Sequence, residues 1–363
     1  MNHSSRSIPA MLGIAALTLA AGCSHSPPPA PSHPPICTTC AASHAVQAPI
    51  PPAAVLAPTP PAPPAPPPAA PATTTITVKD AGLQTPECVL WDPEQDVYFV
   101  SNINGDPTAA DKNGFISKVG PDGKVLELKW IDGSKKGVEL SAPKGMVVAG
   151  KILFVADLDT VRMFDRKSGK PKGKIGVKDS VFLNALTISP DGKKLYVSDS
   201  AVKMDNGKFA GTGSDAIYGI DLKKKSVKPL IQDKNLHWPN GVLADDSGVW
   251  VVTLGGNELI HVSYKGELGS VTKLPKGGLD GIVKLGDTSL LVSSWEGSAI
   301  YRGLPGGEFA EVVSGVTTPA AIGFDSKRNA VLIPVFMGNA VEIRTLPPLP
   351  PLEVQAAATP ATK

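Results

Sequence analysis

The chain has 363 residues and a formal net charge of +2, a length that allows one large domain or two ordinary ones. The near balance of charge gives no electrostatic basis for binding nucleic acid or a strongly acidic partner, so we expect neither. Of the 37 prolines, 18 fall between Pro27 and Pro71, which indicates one unusual segment attached to an ordinary globular body.

Residues 1–22 have the features of an export signal. Arg6 supplies a weak positive charge, and the apolar run from Met11 to Ala21 is shorter than the ~20 residues that cross a bilayer as a helix. The run ends in Leu-Ala-Ala-Gly before Cys23, which resembles the lipobox of bacterial lipoproteins, where the cysteine is lipidated. An ordinary secretory signal with a chance cysteine is the alternative. The uncharged Ser24 then implies sorting to the outer membrane, facing the periplasm, with the lipid anchor as the only membrane contact.

Residues 23–73 are rich in proline and alanine, and we predict that they form a disordered tether. Proline fixes φ and removes a backbone donor, so such a segment favours extended polyproline II and cannot bury a core. Cys37 and Cys40 have Cys-x-x-Cys spacing, but no βαβ pattern surrounds them. A local disulfide or incidental thiols therefore explain them better than a redox or metal site. The predicted domain order ends with a globular domain at 74–347 and a disordered tail at 348–363.

Six segments of the globular body share a short β-branched and aromatic run followed by small polar residues. They are Val97–Asn102, Ile152–Asp157, Lys194–Asp199, Val249–Thr253, Ser289–Ser294 and Ala330–Val335. Aligned on Val100, Val155, Val197, Val251, Val292 and Ile333, they recur at spacings of 55, 42, 54, 41 and 41 residues, the span of one four-stranded propeller blade. No stretch has a sustained helical period, which argues against an α/β fold. The sequence therefore predicts an all-β, six-bladed β-propeller, with an array of β-sandwiches as the alternative.

A propeller must join its two ends to close. Thr75–Val78 is a strand-like run before the first unit, and Ala340–Arg344 is another at the end of the last unit. We expect these two runs to pair within one blade. Such pairing removes the exposed edges that an open row of sheets would have.

A short motif lies 11 to 13 residues before each aligned position, at the start of the strand that would line the central channel. A position that recurs there places its side chains around one mouth of the channel. We call these the mouth residues: Glu87, Lys144, Asn184, Asn240, Asp280 and Ala320. Two carboxylates and two amide oxygens from four blades suit one hard divalent cation, Ca²⁺ first, with Mg²⁺, Mn²⁺ or Zn²⁺ as alternatives.

Further candidate residues follow from the same geometry. Lys144 could stabilise a developing oxyanion or hold an acidic substrate, and the alternative is an exposed lysine near the rim. The second strand of each blade returns to the same face, so the residues that end it are candidate rim or substrate residues. These are Asn102, Asp157, Asp199 and Trp295. Loop-securing hydrogen bonds are the favoured alternative for the first three, whereas Trp295 could offer a flat apolar surface to a ring-shaped ligand.

The motifs resemble those of the gluconolactonase, senescence-marker-protein and paraoxonase superfamily of six-bladed propellers, from Glu87 to Glu342. The residues that carry the resemblance are Glu87 with Trp91-Asp92, Leu183–Leu186, Pro239–Gly241 and Leu279–Gly281. The resemblance implies that the channel metal is held by the two carboxylates and two amides among the mouth residues. It also implies lactone hydrolysis, with Asp280 as general base as well as metal ligand.

Three positions depart from the superfamily's patterns. Cys88 stands where gluconolactonases usually have glycine, Ala185 stands where aspartate usually follows the asparagine, and Lys144 stands where paraoxonases have histidine. The metal site thus looks kept, while the substrate shell matches neither subfamily. Because adjacent strand residues face opposite sides, Cys88 is expected in a blade interface, away from Glu87.

We therefore expect a monomeric, divalent-metal-dependent hydrolase of lactones or related esters, with Asp280 and Lys144 as catalytic residues. Tethering through lipidated Cys23 would place it in the bacterial envelope. The alternative is a non-catalytic propeller that binds an envelope protein partner and uses the channel ion as a structural brace, because propellers host both kinds of function.

Overall fold

The computed structural model describes residues 73–348. The predicted signal peptide, the lipidated Cys23, nearly all of the tether with Cys37 and Cys40, and the tail beyond residue 348 lie outside the described residues. Within the described range, no helix is long and apolar enough to cross a membrane.

The described residues form six four-stranded antiparallel sheets, each of which is one blade, and they confirm the predicted all-β, six-bladed propeller. β1 (Thr75–Val78) precedes the first blade. Blade 1 contains β2 (Pro86–Asp92), β3 (Val97–Asn102), β4 (Phe115–Val119) and β5 (Val125–Asp132). Blade 2 contains β6 (Pro143–Ala149), β7 (Ile152–Asp157), β8 (Thr160–Asp165) and β9 (Pro171–Gly176). Blade 3 contains β10 (Leu183–Ile188), β11 (Lys194–Asp199), β14 (Ala216–Asp221) and β15 (Val227–Gln232), with the hairpin β12 (Val202–Asp205) and β13 (Lys208–Gly211) inserted.

The remaining three blades follow in the same order. Blade 4 contains β16 (Pro239–Ala244), β17 (Gly248–Thr253), β18 (Glu258–Ser263) and β19 (Leu268–Lys273). Blade 5 contains β20 (Leu279–Lys284), β21 (Leu290–Ser294), β22 (Ala299–Gly303) and β23 (Phe309–Val313). Blade 6 contains β24 (Gly323–Asp325), β25 (Ala330–Val335) and β26 (Ala340–Thr345), with β1 as its fourth strand. Short 3-10 turns at Lys234–Leu236 and Phe336–Gly338 precede β16 and β26.

Blade 6 closes the propeller with strands from both ends of the described chain. β1 pairs antiparallel with β26, in a register that sets Thr75 opposite Arg344 and Val78 opposite Val341. This pairing confirms the predicted closure and leaves neither strand as a free edge on that side. β26 runs away from the channel mouth, and β1 runs back towards it. The start of β1 and the end of β26 therefore both lie on the face opposite the mouth residues.

The core consists of hydrophobic layers between neighbouring blades. Six clusters of buried side chains each join two adjacent blades, including the layer between blades 6 and 1. The second strand of each blade packs on both faces, so its residues are almost all buried, as in β3, where all six are. The outermost strands pack on one edge only, and the first four residues of β9 are all exposed. The packing of blade against blade is therefore stabilised mainly by burial of these apolar layers, which contributes about 25 cal/mol per Å² of apolar surface.

Two insertions account for the longest repeats in the sequence. The spacing of 55 residues contains the loop 103–114 of blade 1, and the spacing of 54 contains the β12–β13 hairpin of blade 3. Both insertions join a second strand to a third strand, so both project from the same face as the mouth residues. They therefore add material to one mouth of the channel only.

Candidate functional site

Five mouth residues occupy the same structural position, a register shift in the innermost strand of their blade. Between the first and second strands of blades 1 to 5, the pairing shifts around the mouth residue, as between Leu183 and Leu186 on either side of Asn184. Such irregularities bend a strand locally and redirect the side chain at that point. The shifts at Glu87, Lys144, Asn240 and Asp280 are equivalent. The common register read from the sequence thus corresponds to one repeated local structure.

Glycines follow three of the mouth residues because the neighbouring innermost strand comes very close there. A Cβ on Gly241 would lie 2.3 Å from the backbone oxygen of Asp280, and a Cβ on Gly145 would lie 2.7 Å from that of Asn184. A Cβ on Gly281 would likewise lie 2.3 Å from the backbone nitrogen of Ile322 in blade 6. Side chains larger than hydrogen would push the adjacent mouth residue away. These glycines therefore set the spacing between mouth residues of successive blades.

Buried serines, which the sequence analysis did not single out, connect the mouth residues of successive blades. The Ser198 hydroxyl accepts a hydrogen bond from the backbone N–H of Ala185 and donates one to the backbone oxygen of Asn240 in the next blade. Ser293 repeats this arrangement between the N–H of Gly281 and the oxygen of Ala320. The signal was present in the sequence, because both serines stand at the same place after the aligned apolar run.

The mouth residues share one pocket of about 190 Å³, which we call the channel pocket. Its floor contains the five polar mouth residues, and its walls come from loops of five blades. The complete lining is Glu87, Ile103, Pro107, Lys144, Phe182, Asn184, Phe209, Trp238, Asn240, Leu254, Asp280, Trp295 and Phe336. The structure therefore brings together all four residues that the sequence analysis assigned to the metal, together with Lys144 and Trp295.

Four buried oxygens in this pocket have no hydrogen-bond partner among residues 73–348. They are Oε2 of Glu87, Oδ1 of Asn184, Oδ1 of Asn240 and Oδ1 of Asp280, one from each predicted ligand. Buried acceptors without a partner are rare because desolvation costs ~1–3 kcal/mol for each, and more for a charged group. Two carboxylate and two amide oxygens are also the ligand types that hard divalent cations take. This donor set fits such a cation.

The two carboxyl groups carry the electrostatic signature of burial without a counter-ion. Burial raises the pKa of Glu87 well above its ordinary value, and the nearby Asp280 raises it further, while Lys144 opposes the shift. Burial also raises the pKa of Asp280 to about 7, against the hydrogen bond from Trp295 and the neighbouring Asn240 amide, which lower it. Neither carboxylate forms a salt bridge with any described residue. Buried charges in proteins are usually paired or bound to a metal, so a cation between them would offset this cost.

Lys144 lies inside the pocket, so the expectation of an exposed lysine at the rim is wrong: its side chain is 1% exposed. Its Nζ donates hydrogen bonds of 3.1 Å to the backbone oxygens of Pro107 and Ala142 and lies 4.2 Å from the centre of the Phe182 ring. Burial lowers the pKa of this ammonium to about 8, while Asp157 and other nearby carboxylates raise it. Two of its three N–H groups are thus used, and one is left for a ligand.

Three candidate rim residues do not line the channel pocket, and the structure corrects that assignment. Asp157 accepts hydrogen bonds from the backbone of Ser141 and Ala142, and Asp199 accepts them from three backbone N–H groups. Asn102 bonds to the backbone of Gln84 and Val100 and to a serine hydroxyl. Each of the three is fully buried. They secure the loops that enter the innermost strands, as the favoured alternative proposed.

The fourth candidate, Trp295, lies in the pocket and contacts a mouth residue directly. It follows β21 in a turn, and its Nε1 donates a 2.9 Å hydrogen bond to Oδ2 of Asp280. This bond occupies Oδ2, so that the unpaired Oδ1 is the oxygen left for a ligand.

Cys88 is buried in the layer between blades 1 and 2, which confirms its predicted place in a blade interface.

Four aromatic wall residues were missed by sequence reasoning because they stand outside the strands that carry the repeat: Phe182, Phe209, Trp238 and Phe336. Trp238 has φ 60° and the preceding His237 has φ 48°, both left-handed. Bulky residues adopt this conformation at a cost of about 1–3 kcal/mol, and such strain concentrates at functional sites. The carboxylate of Asp215 accepts the backbone N–H of Trp238 and helps to hold it. Phe182 and Trp238 each stand two residues before a mouth residue, so the sequence carried a signal for these two.

The opposite mouth of the channel differs in chemistry. Its cavity of about 430 Å³ is lined by the ends of the innermost strands, including Trp91, Leu243 and Phe324, and contains no carboxylate. In residues 73–348 as a whole, no three His, Cys, Asp or Glu side chains cluster closely enough to hold an ion. A cation site in the described part of the chain thus depends on the mixed carboxylate and amide set of the channel pocket.

No protein-family model matches the sequence, and no curated protein matches it. The solved structures that are similar in fold include the following three. A gluconolactonase from Xanthomonas campestris is 15% identical with a TM-score of 0.58, over 76% of this chain and 90% of that one. The luciferin-regenerating enzyme is 14% identical with a TM-score of 0.56, over 75% and 95%. Virginiamycin B lyase from Staphylococcus aureus is 14% identical with a TM-score of 0.53, over 76% and 100%. At such low identities the likeness shows a shared propeller fold, which is the fold that the sequence motifs implied.

Proposed function

We propose that the chain is a divalent-cation-dependent hydrolase of lactones or related esters and that its reaction takes place in the channel pocket. The observation that carries this proposal is the convergence of four unpaired oxygens, from Glu87, Asn184, Asn240 and Asp280, on one buried floor. The fold shared with a protein named as a gluconolactonase supports the choice of lactones. The alternative, a non-catalytic propeller, would have the same fold and the same bound ion. Only a measurement of lactone turnover therefore distinguishes the two functions.

The four unpaired oxygens are the groups that would hold the cation. The chemistry that a divalent cation supplies at such a site is Lewis-acid polarisation of an ester carbonyl. The chain's own residues have complementary roles. Asp280 would have two roles: Oδ1 would hold the cation, and its second lone pair could accept a proton from an attacking water, while Trp295 holds Oδ2 and so fixes the direction of the carboxylate.

Lys144 would act from the side of the pocket formed by blade 2. Its backbone contacts fix the ammonium against Phe182, and the remaining N–H can donate to the oxygen on which negative charge develops during acyl transfer. The apolar walls exclude water from the floor, which strengthens these electrostatic contacts. The sequence further predicts that lipidated Cys23 tethers this enzyme to the envelope, a feature outside the described residues.

The hydrolase proposal predicts lactone turnover that depends on added cation. We expect the purified full chain, stripped with EDTA, to hydrolyse members of a panel of δ- and γ-lactones only after Ca²⁺, Mg²⁺, Mn²⁺ or Zn²⁺ is restored, as measured by acid release. A chain that binds the cation stoichiometrically but hydrolyses no lactone or aryl ester would instead support the non-catalytic scaffold.

Replacing Trp295 with phenylalanine is expected to weaken cation binding about 10–100-fold, because the change keeps an aromatic ring but removes the donor that orients Asp280. The measurement is calorimetric titration of the EDTA-treated full chain. Trp250→Phe is the matched control, since its Nε1 donates a similar 2.8 Å bond to Oδ2 of Asp245, outside the channel pocket. Equal cation affinity in the two variants would show that Trp295 does not orient Asp280 for cation binding.

A further inference from the structure

The channel pocket separates its charged and amide side chains from its apolar and aromatic ones. All its charged and amide side chains are mouth residues on the floor. Its walls consist of eight apolar or aromatic residues: Ile103, Pro107, Phe182, Phe209, Trp238, Leu254, Trp295 and Phe336. Apart from the indole N–H of Trp238, a ligand in this pocket therefore finds polar side chains at its inner end only.

This division argues against a polyhydroxylated substrate such as a sugar lactone. Each hydroxyl group of such a ligand that faces the walls would lose its water without gaining a partner. The loss of affinity for each unpaired hydroxyl is roughly 5- to 150-fold. A ligand with three or four such groups would be excluded, whereas an apolar body with one acyl group matches the pocket.

The walls are suited to a flat ring in particular, because five of their members are aromatic. Phe182 and Phe209 meet edge to face, with ring centres 5.8 Å apart, on the side of blade 3. Trp295 and Phe336 meet at 5.2 Å on the side of blades 5 and 6. Edge-to-face and offset contacts are the arrangements that aromatic groups favour, so a further ring can extend either pair.

Trp238 completes the wall between these two pairs, and the fold maintains it in an unfavourable backbone conformation. Its left-handed φ of 60° brings the indole to the pocket, and the inserted hairpin packs against it at Gly211. A Cβ on Gly211 would lie 2.3 Å from Nε1 of Trp238, so the hairpin could not approach with a larger residue. The hairpin thereby brings Phe209 and Trp238 together.

The size of the pocket limits the ligand to about one ring with its acyl group. Its volume is about 190 Å³, compared with the ~150 Å³ apolar cavity that takes up benzene in other proteins. Beyond the pocket, exposed apolar side chains adjoin the wall residues. Val181 and Met337 are chain neighbours of Phe182 and Phe336, and Met204 pairs with Phe209 across the hairpin. An apolar substituent on the ligand would therefore find an apolar surface outside.

We propose that the substrate of the channel pocket is a lactone or ester whose body is one flat aromatic ring without hydroxyl substituents. The acyl group lies at the mouth residues, and the ring lies against Phe209, Trp238 and Phe336. This inference rests on the proposed function, because it names the substrate class of the same site.

The test compares three lactones with the full chain at saturating Ca²⁺: dihydrocoumarin, δ-valerolactone and glucono-δ-lactone. We expect kcat/KM for dihydrocoumarin to exceed that for glucono-δ-lactone at least 100-fold. Phe209→Ala and Phe336→Ala should each lower kcat/KM for dihydrocoumarin about 3- to 10-fold and change that for δ-valerolactone less than twofold. Tyr264→Ala, which truncates an exposed aromatic residue outside the pocket, is the control and should change neither. Faster turnover of glucono-δ-lactone, or equal losses for all three lactones, would overturn the proposal.

A binding measurement keeps this inference separate from the hydrolase proposal. The lactam analogue of dihydrocoumarin, 3,4-dihydro-2-quinolinone, should bind the wild-type chain and quench tryptophan fluorescence, more weakly in Phe209→Ala, whereas gluconolactam should not bind. If the aromatic lactam binds but no lactone is hydrolysed, the aromatic specificity stands and the hydrolase proposal fails. If lactones are hydrolysed but the aromatic lactam does not bind, the hydrolase proposal stands and the aromatic specificity fails.

Discussion

Replacing Asp280 with asparagine is expected to lower kcat/KM for lactone hydrolysis by about 10²–10⁴-fold, the contribution typical of a general base. The change preserves the shape of the side chain and an oxygen that can face the cation, but it removes the group that accepts the proton. Because the other three unpaired oxygens remain, cation binding is expected to weaken rather than disappear. The rate is therefore measured at a saturating cation concentration.

The control for this substitution is Asp246→Asn, which makes the same chemical change at an exposed turn between β16 and β17. Its activity should equal that of the wild-type chain. If Asp280→Asn retains wild-type kcat/KM while it binds the cation, Asp280 is a metal ligand only and another group must accept the proton.

Removing β1 is expected to cost several kcal/mol of the free energy of unfolding, because it opens blade 6. The loss includes burial of Val78, worth about 1.5–3 kcal/mol, and the pairing of Thr75–Val78 with β26. Domains of ordinary stability have only about 5–15 kcal/mol in total. The new edge at β26 also becomes available for association with other chains.

The measurement is urea denaturation of two truncated chains, one that starts at residue 73 and one that starts at residue 80. They differ by β1, the two residues before it and the one residue after it. The shorter chain should unfold at a clearly lower urea concentration. Equal midpoints would mean that β1 adds little to closure.

The fold was predictable because the middle strands of every blade are buried on both faces. Runs such as Val97–Asn102 and Ile152–Asp157 consist mainly of apolar residues, and their recurrence shows the blade length directly. The outermost strands gave no comparable signal. β9 and β19 are mostly exposed, so their composition is not constrained to alternate. The inserted β12–β13 hairpin belongs to one blade only, so no repeat could reveal it.

The floor of the pocket was predictable for the same reason, whereas its walls were not. The mouth residues recur at one register position, and the structure places a strand irregularity at each of those in blades 1 to 5. Phe209 stands in the inserted hairpin, which has no counterpart in the other blades, whereas Phe336 follows its aligned position by three residues, as Leu254 and Trp295 follow theirs. Asp157 and Asp199 also recur in register, but they bind backbone N–H groups behind the pocket. Register alone could not distinguish a residue that lines the channel from one that supports it.

The central claim is that the four unpaired oxygens of the channel pocket hold one divalent cation, and calorimetric titration of the EDTA-treated full chain with Ca²⁺ tests it most directly. Asn113 provides a matched control, because its Oδ1 is also buried and unpaired but lies outside the channel pocket. The account predicts one ion per chain for the wild type and for Asn113→Ala, and an affinity at least tenfold lower for Asn240→Ala. Absence of binding by Ca²⁺, Mg²⁺, Mn²⁺ and Zn²⁺ alike, or equal affinity in the two asparagine variants, would contradict it.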